Sequence, residues 1–163
     1  MTNRSKSYIV IAMKKKSAQI KNPELDKKTE WFTNKCREIG LKVTPQRIVI
    51  FRELLKTDEH PSAEMLHKKI KEKFPSISLD TVNRTLITLS EIGAAEIVEG
   101  SGDAKRYDAG MSGHQHFKCV KCKRIIDFHY KPFDDIKIPA YINKKFKVLK
   151  KTVYLEGICD ECK

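Results

Sequence analysis

Cys119 and Cys122 stand in Phe-Lys-Cys-Val-Lys-Cys-Lys, and Cys159 and Cys162 in Ile-Cys-Asp-Glu-Cys-Lys. Two thiolates in a CxxC turn through a tight knuckle and offer both sulfurs to one metal ion. Two such pairs complete the tetrahedral S4 shell that Zn²⁺ takes in closed structural sites. The competing readings are redox CxxC motifs or disulfides. Neither pair opens a helix in a βαβ context, and no signal peptide directs the chain to an oxidising compartment. The four cysteines are therefore expected to hold a structural Zn²⁺ that staples two distant segments, and function must lie elsewhere.

A second set of donors is harder. His114-Gln115-His116 puts two imidazoles on one face of an extended segment. Asp108 lies just upstream, Asp127 on the next strand, and His60 far upstream in a Glu-His-Pro loop. Three imidazoles and two carboxylates suit Fe²⁺, Mn²⁺ or Zn²⁺. An HxH pair is as often a plain surface strand. Convergence of all five would bridge two parts of the chain, and metal would then fix the angle between them, a physical basis for a switch.

The elements that must position these groups follow from pattern and punctuation. The chain has 163 residues with 40% hydrophobic and 33% charged side chains, enough for one domain or two small ones. Residues 1–28 read as a basic extension, with eight Lys or Arg against two acidic residues and a break at Asn22-Pro23. It is either a loose tail or an arm along phosphates, and Met13 is an alternative start. Trp31, Phe32, Cys36 and Ile39 predict a helix from Thr29 to Gly40. Cys36 reads as an ordinary surface or half-buried thiol. Thr44-Pro45 and Ser62 start two more helices, and Ser78 caps a fourth over 79–92 that Gly93 closes. Glu96 to Glu99 and Ala104 to Tyr107, joined by Gly100-Ser101-Gly102-Asp103, predict a β-hairpin.

Helices closing on a hairpin make a winged helix-turn-helix over 29–108. The fourth helix turns Asp80, Thr81, Asn83, Arg84 and Thr88 outward, with Arg84 suited to guanine and Asn83 to adenine. A solvated face is the plainer reading. A net charge of +12 and pI near 9.5 favour double-stranded DNA as the partner. Residues 109–163 predict a small α/β dimerisation unit, with strands over 116–120, 124–129, 147–149 and 152–155 and a helix within 131–145 that Pro139 should interrupt. A DNA reader of this kind needs a twin to cover a palindrome, so a homodimer is expected. No apolar run reaches the ~20 residues of a membrane span, and a cytoplasmic α+β protein results.

Taken together, Thr44-Pro45-Gln46-Arg47, His60-Pro61-Ser62-Ala63, Ser78 to Leu86, the HxH-x2-CxxC segment and the final CxxC resemble the ferric uptake regulator (Fur) family over about residues 29–163. The resemblance implies a homodimeric, metal-dependent repressor of transcription, not an enzyme, on AT-rich inverted repeats. It adds Lys42 and Arg47 to the DNA contacts. Aspartate at both acidic positions, Asp108 and Asp127, and the Ile-Ile-Asp-Phe-His-Tyr run look most like the peroxide-sensing PerR branch. That branch implies Fe²⁺ or Mn²⁺ on His60, Asp108, His114, His116 and Asp127, and peroxide-driven oxidation of His60 or His114. The alternative is a Fur-, Mur- or Zur-type sensor of Fe, Mn or Zn supply. A thiol redox or metal-transfer protein is a third reading.

Two departures from the family stand out. Many members carry Tyr where this chain has Asn83. An additional metal site of several members would need ligands where Gly113, Gln115 and Lys151 stand, leaving only Asp134. His67 and His129 have no role assigned by the pattern, and His67 reads as a surface helix residue.

Overall fold

The computed structural model describes residues 22–98, 104–110 and 113–163. Four helices come first: α1 (Pro23–Glu38), α2 (Pro45–Leu54), α3 (Ala63–Lys71) and α4 (Leu79–Glu91). Each is capped as its local sequence dictates. Thr44, Ser62 and Ser78 accept N–H bonds from Arg47, Met65 and Thr81 at 3.3, 3.3 and 3.1 Å.

Helix α1 starts six residues before the expected Thr29. Asn22 accepts from Glu24 N–H and Leu25 N–H, and Pro23 fills the first helical position. The dipeptide that reads as a break is a cap. Leu25 is buried, and Asp26 pairs with Arg52 of α2 at 2.8 Å, so this extra turn is packed.

Both helix-ending glycines behave as expected. Gly40 (φ 70°) and Gly93 (φ 74°) take the left-handed conformation. Leu41 N–H reaches Cys36 C=O and Ala94 N–H reaches Leu89 C=O, both at 2.8 Å, closing two Schellman turns. Around them Phe32, Cys36, Phe51, Leu66, Ile70, Val82, Leu86 and Leu89 form one core. Cys36 is thus a core residue, and burial pushes its thiol pKa up.

Strands β1 (Glu96–Val98) and β2 (Arg106–Asp108) pair antiparallel, with Ile97 opposite Tyr107. Tyr107 enters the helical core, so Arg106 and Asp108 face the other way. The expected turn at 100–103 lies outside the described residues.

The C-terminal unit is a three-stranded sheet ordered β4-β3-β5, from β3 (Gln115–Cys119), β4 (Ile125–Phe128) and β5 (Tyr154–Gly157). β3 runs antiparallel to β4 and parallel to β5. The crossover between the parallel pair carries α5 (Lys131–Asp134) and α6 (Ala140–Lys145). Residues 135–139 separate them, and Pro139 sits at the N-cap of α6, where its missing N–H breaks no helical bond. The strand expected over 147–149 does not form. Phe146 and Leu149 are exposed there, and the segment pairs with no strand among the described residues. No helix among the described residues is long and apolar enough to cross a membrane.

Candidate metal centres and nucleic-acid interface

The first CxxC occupies the turn between β3 and β4, where Lys123 N–H closes on Cys119 C=O at 2.9 Å and Lys123 itself is left-handed (φ 63°). The second sits in a 3-10 turn at Asp160–Cys162, after β5. Because β3 pairs with β5, the two knuckles meet. Their four sulfurs lie within 4.8 Å of one another. Cys122 Sγ and Cys159 Sγ are 3.7 Å apart. A tetrahedron with metal–sulfur bonds of about 2.3 Å would set them ~3.8 Å apart.

Electrostatics favour a cation at this point. N–H groups of Cys122 and Cys159 pull the Cys119 thiol down to about 6. Hydrogen bonding to Cys159 and Cys122 pushes Cys162 up to about 12. Four sulfurs this close cannot all ionise without a positive ion between them. Arg124, beside the first knuckle, pairs with Asp160 (3.1 Å) and Glu161 (2.5 Å) inside the second. The knuckles are thus tied by charge as well as by sulfur.

The second cluster lies where the helical unit meets the sheet. β2 delivers Asp108, β3 delivers His116 with His114 just before it, β4 delivers Asp127, and the loop ahead of α3 delivers His60. The pairing of β3 with β4 sets His116 opposite Asp127. Atoms of His60, Asp108, His114 and His116 all fall within 4.8 Å of one another. Asp127 Oδ1 is 2.8, 3.5 and 3.4 Å from the Nε2 atoms of His60, His114 and His116. Asp108 Oδ2 is 2.9 and 3.6 Å from those of His114 and His116. Donors about 2.1 Å from one cation stand ~3.0 Å apart at right angles and ~3.4 Å at the tetrahedral angle. The observed separations bracket both values.

A cation would also satisfy atoms that the protein leaves unsatisfied. His60 Nδ1 and Nε2 and Asp108 Oδ2 are buried and make no hydrogen bond among the described residues. For His60 Nε2, the short approach of Asp127 is a charge contact without hydrogen-bond geometry. Burial lowers the His60 pKa, against the pull of Asp127 and Asp108. Burial raises Asp108, but His116, the Gly110 N–H and the other imidazoles outweigh it and hold the carboxyl at about 2.

Metal binding requires neutral imidazoles, so protons compete with it through three histidines. Affinity for Mn²⁺ is expected to rise with pH. Asp108, ionised down to about 2, contributes nothing to that slope. Calorimetric titration between pH 5.5 and 8 checks this, and a flat profile would contradict it.

Gly110 is a requirement the sequence did not announce. A Cβ there would sit 2.6 Å from His114 Cε1 and 2.9 Å from Asp108 Oδ2, while its N–H donates to Asp108 Oδ1 at 2.6 Å. Gly110→Ala should therefore displace two of the five groups and weaken Mn²⁺ binding about tenfold or more. Equilibrium dialysis would read this, with the zinc content unchanged.

The outward face of α4 is partly as expected. Asn83 and Arg84 are exposed on α4, and Thr81 is half-buried with its hydroxyl 2.8 Å from that of Ser78. Arg84 pairs with Asp80 at 2.9 Å, an exposed pair easily exchanged for a base edge or phosphate. Lys42 is exposed, whereas Arg47 folds back to donate to the Lys42 carbonyl. His67 is not the plain surface residue expected. Its ring is 3.0 Å from the Ile77 carbonyl and ties α3 to the turn before α4. Gln115 and Lys151 also have structural work: Gln115 bonds Asp134 (2.7 Å) and Tyr130 N–H (2.8 Å), and Lys151 donates to the Asp134 and Ile136 carbonyls. His129 remains largely exposed, 3.8 Å from Asp134.

Comparison with known proteins decides the family. The ferric uptake regulator family model matches residues 38–156. The chain belongs to the ferric uptake regulator family. It is a metalloregulator of transcription, not an enzyme. The peroxide-responsive repressor PerR of Staphylococcus epidermidis is 32% identical over 85% of this chain and 93% of its own length. Among solved structures, the Helicobacter pylori ferric uptake regulator Fur superposes with a TM-score of 0.71 at 24% identity, over 85% of this chain and 93% of that one. The Campylobacter jejuni peroxide stress regulator superposes at 0.61 with 28% identity, over 88% and 100%. Fur-family regulators bind DNA and act as dimers.

Proposed function

We propose that this chain is a peroxide-responsive repressor. It acts in the cytoplasm as a homodimer that reads an inverted repeat through α4, with Lys42, Arg47, Thr81, Asn83 and Arg84 as DNA contacts. Cys119, Cys122, Cys159 and Cys162 hold a structural Zn²⁺. His60, Asp108, His114, His116 and Asp127 hold Fe²⁺ or Mn²⁺. The observation that carries the reading is the approach of three buried or half-buried imidazoles and two aspartates to one point between the DNA-reading unit and the sheet. Relatives named for peroxide response support it.

Bound Fe²⁺ would lend the electron that splits the O–O bond of peroxide, with the imidazole as the net reductant, and Mn²⁺ would not. In the net reaction one peroxide oxygen enters an imidazole carbon and the other leaves as water. The chain's own contribution is position and access. His60 is almost fully buried, while His114 faces a cleft of about 430 Å³ that also exposes Asp58, Gly110 and Asp127. A small oxidant arrives by that cleft. Oxidation of His60 or His114 weakens the donor set, frees the helical unit from the sheet, and releases DNA. Each molecule responds once, as a sensor and not as a catalyst.

The test is DNA release. A duplex is selected by the Mn²⁺-loaded dimer from a random pool. Peroxide should free that duplex from Fe²⁺-loaded protein and leave the Mn²⁺-loaded complex intact. Equal retention in both would refute peroxide sensing and favour a response to metal supply alone.

A further inference from the structure

His60 has φ 48°, in the left-handed region that a residue with a Cβ seldom occupies. Something must hold it there, and the holder is β2. Arg106 Nε donates to the His60 carbonyl. Arg106 Nη2 donates to the Glu59 carbonyl at 2.8 Å. Tyr107 N–H donates to the Pro61 carbonyl at 3.1 Å. Three consecutive carbonyls of the loop are thus bonded by two adjacent residues of one strand.

The geometry has a second consequence. Arg106 and Asp108 are two residues apart on a strand, so both side chains leave the same face. One face of β2 presents a carboxylate to the metal cluster and a guanidinium to the backbone of another cluster member. Glu59 N–H also donates to the Thr57 hydroxyl at 3.2 Å, a local bond that ties the loop to no other element.

We propose that Arg106 is the positioning residue that holds His60 in its ligand-ready, strained conformation and so links the wing strand to the regulatory metal. This rests on the metal-site reading above. Without the guanidinium, two of the three carbonyls lose their donor, the His60 backbone relaxes towards ordinary φ, and its imidazole turns away from the other four groups. The metal then has to pay for restoring it.

The experiment compares Arg106→Ala, Arg106→Lys and His60→Ala in the zinc-loaded full chain. Mn²⁺ affinity is read by electron paramagnetic resonance titration, zinc content by mass spectrometry of the metals, and fold by thermal melting. Loss of a group that orients a ligand typically costs roughly ten- to a hundredfold in metal affinity. Arg106→Ala should show a loss of that size, with one zinc retained and the melting temperature of the Mn²⁺-free protein nearly unchanged. Arg106→Lys, which can reach one carbonyl but not two, should recover part of it. Mn²⁺ affinity within twofold of the parent would overturn the proposal, as would a loss accompanied by loss of zinc or of fold. His60→Ala separates the two levels. If it weakens Mn²⁺ binding while Arg106→Ala does not, only this inference fails. If it leaves Mn²⁺ binding unchanged, the metal-site reading fails and this inference with it.

Discussion

A Cys119→Ser chain is expected to lose its zinc and, with it, the folded C-terminal unit. Among the described residues from 109 onward, the buried apolar side chains are Ala109, Cys119, Ile125 and Cys159. Two of those four belong to the proposed zinc site, so that cluster is a large part of the core. Tyr141, Phe146 and Leu149 remain exposed and do not compensate. Structural zinc in small domains contributes about 10–16 kcal/mol to folding, more than a sheet with so little apolar burial can supply. The Cys119 Sγ also accepts the Cys159 N–H at 3.4 Å, so the substitution loosens the link between knuckles directly. Metal analysis, circular dichroism and sedimentation should show zinc-free, monomeric protein with the helical unit still folded. A dimeric, zinc-free variant with an intact sheet would contradict the structural role.

The second large effect is at His114. Its Nε2 lies 2.9 Å from Asp108, 3.0 Å from His116 and 3.5 Å from Asp127. His114→Ala removes a donor and leaves two carboxylates facing two rings with a gap open to the cleft. Mn²⁺ affinity should fall about a hundredfold or more, beyond the cost of losing a mere orienting group. Metal-dependent DNA binding should fall with it. Zinc stays, because the knuckles lie at the other end of β3. Mobility-shift titration in limiting Mn²⁺ reads the loss, and saturating Mn²⁺ should restore much of it. A variant that binds DNA in limiting Mn²⁺ as the parent does would remove His114 from the donor set.

Much of this architecture is legible in the sequence because its signals are local. A CxxC turn, a Ser or Thr cap and a closing glycine depend on neighbours a few residues away, and Cys119, Ser78 and Gly93 behave accordingly. The five hard donors are visible as residue types, although only the fold brings His60 across from its distant loop. What was not legible depends on context. Asn22-Pro23 reads equally as a break or as a cap with its first helical residue, and buried Leu25 decides it. Lys147 to Leu149 reads as a strand but pairs with no strand among the described residues. Arg106 and Gly110 matter through a backbone angle and a close approach, neither of which a residue pattern encodes.

The most direct test of peroxide sensing is peptide mass spectrometry on zinc-replete protein, loaded anaerobically with Fe²⁺ and given a small dose of peroxide. The expected result is one added oxygen on the peptide holding His60 or His114, absent from the Mn²⁺ control. Unmodified histidines on protein shown to carry iron would contradict it and leave a regulator of the same family that responds to metal supply.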